Sequence, residues 1–421
     1  MRKQTTFLQS WKIGMFLALR ELKKANKWTT LLIISVMILT FLNLIVISGV
    51  LVGLIEGATE ANRDRYTSDI IISTPIKKNY IEHSVELVDF LKTYPGVALY
   101  SARYSEGGRI ETNYKRRTRL TDEPDQAGVN IAGIDPVAED KLTGISKYII
   151  EGEYLSPDDT DSVIIGANIL FKYTPIESPG FQTLKDVEIG SKVRMVVNGL
   201  TREVTVKGIA KGKVDSMDMR VLMVDSHFRK LIGRTDFNVD EISVKVAPGY
   251  TPESVQSVLI GQGFDKYARI QTWEEAQPKF LQDIKLTFGL LGNVIGTIGL
   301  AVACITIFII IFVNAITRRR YIGILKGIGI RKSVIEISYM IQSIVYAGVG
   351  ILLGMAIVFL LLKPYIAAHP INFPFSDGIL VATPLGTAIR GIVLLVATMI
   401  AGYIPARIVV KQNTLDAILG R

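Results

Sequence analysis

The sequence predicts a multi-pass α-helical membrane protein: four transmembrane helices in a one-plus-three arrangement, with a large α/β extracytoplasmic domain inserted between helices 1 and 2. Three observations carry that prediction. Of 421 residues, 49% are hydrophobic and 21% charged, and the two classes are segregated along the chain. Apolar residues collect in four blocks, 31–56, 286–316, 336–362 and 386–408. Each block reaches the roughly 20 helical residues that cross a hydrocarbon core about 30 Å thick. Between the first two blocks, residues 57–282 show short alternating runs broken by turn residues, the pattern of strands.

The N-terminal arm, residues 1–30, is expected to be cytoplasmic. It places Phe7, Leu8, Trp11, Met15, Leu19 and Leu22 at three- and four-residue steps, with Lys12, Arg20, Glu21, Lys23 and Lys24 off that stripe or beyond it. Such a basic amphipathic helix lies in the headgroup plane or docks on a partner protein. The first apolar block is too long for the core of a secretory signal and is not followed by a small-residue cleavage pattern.

Within residues 57–282, the best strand candidates are 68–74, 97–105, 128–134, 162–168, 191–199, 202–210, 220–225, 241–247 and 267–272. Amphipathic helices are expected at 85–93 and 252–262. Two strand–helix–strand units at opposite ends of the domain imply a split α/β layer, with a β-rich subdomain of about 136–239 inserted between its halves. Asn198-Gly199 between two alternating runs signals a tight hairpin.

Orientation follows from Lys and Arg, which are retained on the cytoplasmic side. Arg2, Lys3, Lys12, Arg20, Lys23, Lys24 and Lys27 precede the first block, whereas the connection 363–378 carries a single Lys. The loop 317–335 holds Arg318, Arg319, Arg320, Lys326, Arg331 and Lys332, and the tail 409–421 follows Arg407 and contains Lys411 and Arg421. Both termini and that loop are expected in the cytoplasm, and the loop 363–385 outside. The net charge of +9 is thereby a topology signal, and nucleic acid is not needed as a partner.

No catalytic or metal-binding constellation emerges. His83, His227 and His369 stand without ligand partners at metal spacing. Asp158, Asp159 and Asp161 lack the spacing of a calcium loop. Gly208 with Lys211-Gly212-Lys213 is one residue short of a phosphate loop and has Val214 where Ser or Thr would hold magnesium. The lone Cys304 reads as a small apolar packing residue. The chain is therefore expected not to be an enzyme and to bind no cofactor itself.

The loop 317–335 is the most informative stretch. A basic cluster leads into a short helix with Ile322, Leu325 and Ile328 on one side, followed by Gly329 and the pair Arg331-Lys332. That face suits docking into a groove of a cytoplasmic partner, against the alternative of a plain solvated loop. In the membrane blocks, Gly292, Gly296 and Gly299, and Gly350 and Gly354, form small-residue faces for close helix packing or a subunit interface. Arg390, near the outer end of the last block, is read as snorkelling to the interface.

The segment TRRRYIGILKGIGIRKSVI resembles the signature of the FtsX-like permease family. AGYIPARIVVKQNTLDAI, with Gly402, Pro405, Ala406 and Arg407, resembles that family's ending, and LALRELKKANKWTTLLIIS its entry into the first helix. GIDP at 133–136 with YIIEGEYLSPDDTDSVIIGANI resembles the MacB-like outer core domain. The FtsX-like region would cover about 286–415.

These proteins are permease subunits of type VII ABC transporters. The resemblance implies two copies of an ABC ATPase subunit that bind ATP and Mg, and a second permease copy or paralogue. Membrane lipids and an outer adaptor or lipoprotein are further partners. The implied function is mechanotransmission: ATP-driven motion relayed to the outer domain to export or extract an amphipathic lipid, lipoprotein, peptide or drug. Some members with smaller outer domains instead regulate a cell-wall hydrolase, which is the alternative reading. The implied location is the inner, cytoplasmic membrane.

Overall fold

Strand alternation between the first two apolar blocks resolves into two layers that share one long strand. The computed structural model describes residues 2–411 except 116–124, 176–181, 374–375 and 379. The chain divides into a helical unit, built from Met1–Ile55, Asp283–Asn372 and Asp377–Arg421, and an α/β unit, chiefly Glu56–Gln282. It opens with helices α1 (Arg2–Lys24) and α2 (Lys27–Asn62).

In the α/β unit follow β1 (Ile70–Ser73), α3 (Ser84–Thr93), β2 (Val97–Glu111), β3 (Gln126–Ile134), α4 (Pro136–Thr143), β4 (Ile149–Gly152), β5 (Ser162–Gly166), β6 (Lys192–Val197), β7 (Leu200–Ala210), α5 (Asp215–Asp218), β8 (Arg220–Val224), α6 (Asp225–Leu231), β9 (Glu241–Val246), α7 (Pro252–Gly261) and β10 (Arg269–Thr272). The order β2-β9-β1-β10 is antiparallel throughout, with Ile72 opposite Ile242 and Ile70 opposite Val244. It interleaves two strand–helix–strand units, which is the split α/β layer.

The inserted part is a closed six-stranded barrel. Going round it, β2 pairs β3, then β8, β5, β7 and β6 follow, and β6 returns to β2. Val97–Arg103 of β2 pair with β9, and Gly108–Glu111 with β6 along the same edge. A Cβ on Gly108 would lie 2.7 Å from Ile131 Cδ1 and from the Val196 carbonyl oxygen, so the seam needs glycine. The insertion thus begins before residue 136: β3 and the end of β2 already belong to the barrel, because β2 is long enough to serve both layers. Asn198 (φ 49) and Gly199 (φ 77) make the hairpin between β6 and β7.

An ionic cluster lies where the chain leaves α2. Arg103, 2% exposed, holds Glu139 through two hydrogen bonds of 2.7 and 2.9 Å, and Arg220 pairs with Glu241 at 2.8 Å. Tyr66, just after α2, donates to Glu241 at 3.0 Å, and its carbonyl accepts from Arg103 at 3.0 Å. The segment after α2 is thereby tied to β2, α4, β8 and β9. Burial raises the Glu241 carboxyl, but Arg220 and Arg103 outweigh burial and hold it at about 2.

The helical unit contains α8 (Lys279–Thr317), α9 (Arg319–Gly327), α10 (Lys332–Ala356), α11 (Lys363–Ala368) and α12 (Pro384–Lys411). Among the described residues, four helices are long and apolar enough to cross a membrane: Lys27–Thr67, Leu281–Thr317, Lys332–Ala368 and Pro384–Lys411. The third runs past residue 362, because a π-helical segment at Ile357–Leu362 joins α10 to α11.

The α1 arm packs differently from its apolar stripe. Its buried face is Ser10, Gly14 and Ala18, four residues apart, and a Cβ on Gly14 would lie 2.7 Å from Ile337 of α10. Met15 and Leu19 stay about half exposed, while the side chains of Phe7 and Leu8 lie outside the described ones. Small residues win this contact because they let two helix backbones approach closely.

Candidate functional site

α9 lies between the second and third candidate spans and is built from the basic loop. Arg318 immediately precedes it, Gly329 (φ 93) follows its end in a conformation that favours glycine, and Arg331 immediately precedes α10, which begins at Lys332.

Ile322 and Leu325, 3% and 8% exposed, are buried with Ala315, Ile335, Val409 and Val410 of the same chain. Tyr321, Ile324 and Ile328 are 45%, 46% and 71% exposed. The expected docking stripe Ile322, Leu325 and Ile328 is therefore split. Two of its members seat α9 on the chain's own helices, and only Ile328 points outward, beside Tyr321 and Ile324. Periodicity identified an apolar stripe but not what covers it. Among the basic residues, Arg320, Arg331 and Lys332 are exposed, and Arg319 is half-buried.

Two contacts fasten α9 to its neighbours. Lys326 Nζ donates to the Val410 carbonyl at 3.2 Å at the end of α12; burial, then Lys332, pushes its ammonium below the usual lysine range. Arg318 lies 3.8 Å from Glu21 of α1, and Gln342 of α10 donates to the same Glu21 at 2.6 Å. Burial raises the Glu21 carboxyl, opposed by Gln342 and Arg318. These groups, with Asn314, Tyr339 and Tyr346, line a polar cavity of about 190 Å³.

The glycine faces pack within the chain. A Cβ on Gly350 or Gly354 would lie 2.4 Å from Met37 or Phe41 of α2. Gly292, Gly296 and Gly299 meet Ser48, Leu44 and Asn43 on the same helix. α2 is thus held by α8 and α10 through these five positions, and a subunit interface would have to use other surfaces.

At the chain's end, a Cβ on Gly402 would lie 1.8 Å from Ser343 Oγ, so α12 touches α10 there. Pro405 and Ala406 are buried, and Arg407 stays exposed over the Tyr403 ring at 5.8 Å. The tail beyond Lys411, residues 412–421, lies outside the described residues.

The Lys211–Lys213 turn is closed on itself. Buried Asp218 accepts from the Gly212 N–H at 2.6 Å, filling the place a phosphate oxygen would take. Burial raises that carboxyl to about 6 against hydrogen bonds from Gly212, Lys213 and Val214. Among the described residues, no group of three or more His, Cys, Asp or Glu could hold a metal ion.

Two family models match this chain. One, the MacB-like periplasmic core domain, covers residues 30–262, more than half the sequence, and the other, the FtsX-like permease C-terminal region, covers residues 293–414. The chain belongs to the MacB/FtsX-like permease family.

Relatives of this permease include the macrolide export ATP-binding/permease proteins MacB 1 of Yersinia pseudotuberculosis serotype I (strain IP32953) and MacB 2 of Yersinia pestis bv. Antiqua (strain Nepal516). Each is 24% identical over 198 residues, which is 45% of this chain and 28% of the relative. The match therefore spans little more than a quarter of those proteins' length. The crystal structure of the periplasmic region of MacB from Actinobacillus actinomycetemcomitans is similar at 14% identity and a TM-score of 0.34, over 51% of this chain and 92% of that one. The permease family accounts for both units: FtsX-like helices and a MacB-like periplasmic domain inserted after the first of them.

Proposed function

We propose that this permease couples ATP hydrolysis by a separate ABC ATPase subunit to motion of its MacB-like domain, and so exports or extracts an amphipathic substrate. The observation that carries the proposal is α9: a short helix seated on the membrane helices by Ile322 and Leu325 and presenting Tyr321, Ile324 and Ile328 outward within a basic rim. An exposed apolar face on a rigidly held helix is the form a docking element takes. In this reading α9 and both termini face the cytoplasm, and ATP and Mg bind the partner, of which two copies serve two permease chains.

Motion imposed on α9 has a physical route. Lys326 ties α9 to the end of α12, and Arg318 and Glu21 tie its start to α1 and α10. Within the α/β unit, the segment that follows α2 is held by the cluster of Tyr66, Arg103, Glu139, Arg220 and Glu241.

Cysteine crosslinking tests the proposal. In a Cys304→Ala background, Ile328→Cys should crosslink to a cysteine introduced in the ATPase groove, and should react with an impermeant maleimide only from the cytoplasmic side. Labelling from the opposite side would reject the orientation and the docking role together.

A further inference from the structure

We propose that a groove between α2, α12 and the segment preceding α12 holds the headgroup of one anionic membrane lipid on Arg390. The groove, about 320 Å³, is lined by Ser48, Gly49 and Val52 of α2, by Val381 and Thr383, and by Thr387, Ile389 and Arg390 of α12. Its walls are apolar, and its polar groups are three hydroxyls and one guanidinium. That volume sits at the lower end of the range for small-ligand sites, about 300–1,000 Å³, and suits a headgroup with the first part of its chains.

Arg390 is the reason for an anion. It donates from Nη2 to Ser48 Oγ at 2.8 Å, and among the described residues no carboxylate is paired with it. A guanidinium carries five donors and is always charged, so one hydroxyl leaves most of its capacity unused. An unpaired charge at the edge of hydrocarbon is costly, and a phosphate diester satisfies it with paired hydrogen bonds.

Depth is the reason for a lipid. Ser48 lies about 20 residues along α2 from Lys27, and Arg390 about 17 along α12 from Arg407. At roughly 1.5 Å per residue both sit close to one hydrocarbon thickness, about 30 Å, from the basic end of the bundle. Two helices thus place the groove at the far headgroup level. Its floor is fixed by backbone: Val381 N donates to the Gly49 carbonyl at 3.1 Å, and a Cβ on Gly49 would lie 2.7 Å from the Val381 oxygen.

The inference rests on the membrane-spanning reading of α2 and α12 and is independent of any ATPase. The test is native mass spectrometry of the full chain without its partner, in nanodiscs of phosphatidylglycerol or of phosphatidylcholine. The wild type should retain one phosphatidylglycerol per chain in preference to phosphatidylcholine. Arg390→Gln should lower that retention at least tenfold, and Arg390→Lys and Ser48→Ala by less. Millimolar inorganic phosphate should not displace the lipid. Equal retention by Arg390→Gln, equal retention of phosphatidylcholine, or displacement by phosphate would each overturn the assignment. Should Arg390→Gln fail to assemble, unchanged retention in both Arg390→Lys and Ser48→Ala would overturn it as well. Because no ATPase is present, none of these outcomes bears on α9.

Discussion

The two faces of α9 allow docking and folding to be separated by point mutation. Tyr321, Ile324 and Ile328 expose 45%, 46% and 71% of their surface. If a partner covers what is exposed, the apolar surface removed from water equals about one and a half fully buried large side chains. At roughly 2 kcal/mol for each such side chain, docking through this face contributes about 3 kcal/mol. Losing it weakens the dissociation constant about 150-fold. The double variant Ile324→Asp/Ile328→Asp removes a little over one of those side-chain equivalents, about 2.3 kcal/mol, and should lower affinity for the ATPase subunit about 50-fold, measured by biolayer interferometry on nanodisc-embedded protein. Its thermal unfolding should stay within a degree or two of wild type. Ile322→Asp does the reverse: a carboxylate placed among Ala315, Val409 and Val410 loses several kcal/mol of solvation, so the fold is damaged first. An affinity unchanged within threefold in the exposed-face variant, or a fully stable Ile322→Asp, would refute this assignment of faces.

Other outcomes follow from the packing and the charges. Gly354→Val should destabilise the helical unit by about 1–3 kcal/mol, because its Cβ would lie 2.4 Å from Phe41, whereas Gly289→Ala, inside α8 and with nothing within 4 Å, should be neutral to stabilising by up to about 1 kcal/mol in the same unfolding assay. Arg103→Met leaves Glu139 buried without its partner and should cost about 3–5 kcal/mol, read as a drop of roughly 10 °C in the melting of the α/β unit; Arg103→Met/Glu139→Leu should recover part of it. Asp218, raised to about 6, favours the fold when protonated, so its contribution is lost as pH rises through 6. Glu241, held at about 2, contributes above its ordinary value near 4.5, and that contribution is lost as pH falls toward 2. Melting temperature should thus rise from pH 7 to about 5 and fall below about 4, and Asp218→Asn should lessen the upper limb, to which Asp240, also raised to about 6 by burial, contributes the rest.

Much of the architecture is legible because water and lipid sort residues by polarity. The four apolar blocks and the alternating strands show themselves, as does the hairpin at Asn198-Gly199. Barrel closure does not, since β2 and β6 meet across some 85 residues and nothing in either run names the other. α4 was not anticipated, although Asp135 caps it and Pro136 opens it. Arg103 gave no signal: an alternating position in a strand says which face a residue takes, not that a charge is matched inside.

The coupling loop was legible as an element and not as a surface. Basic residues and Gly329 mark its ends, but in a membrane protein an apolar stripe beside the spans is as readily covered by the chain's own helices as by a partner. Ile322 and Leu325 are so covered, whereas Tyr321 and Ile324, off the expected stripe, are open. The arm repeats the lesson, since Gly14 makes a close contact with α10 and Ala18 is buried, while Met15 and Leu19 stay half exposed.

The central claim is that hydrolysis in a partner moves the MacB-like domain. Spin labels at Ile76→Cys in that domain and His369→Cys in the helical unit, both exposed positions, report on it in a Cys304→Ala background. In the assembled complex, double electron–electron resonance should give one distance distribution with ADP and a shifted one with ATP trapped by vanadate. The shift should vanish in Ile324→Asp/Ile328→Asp. Identical distributions in every nucleotide state while the complex hydrolyses ATP would contradict the account.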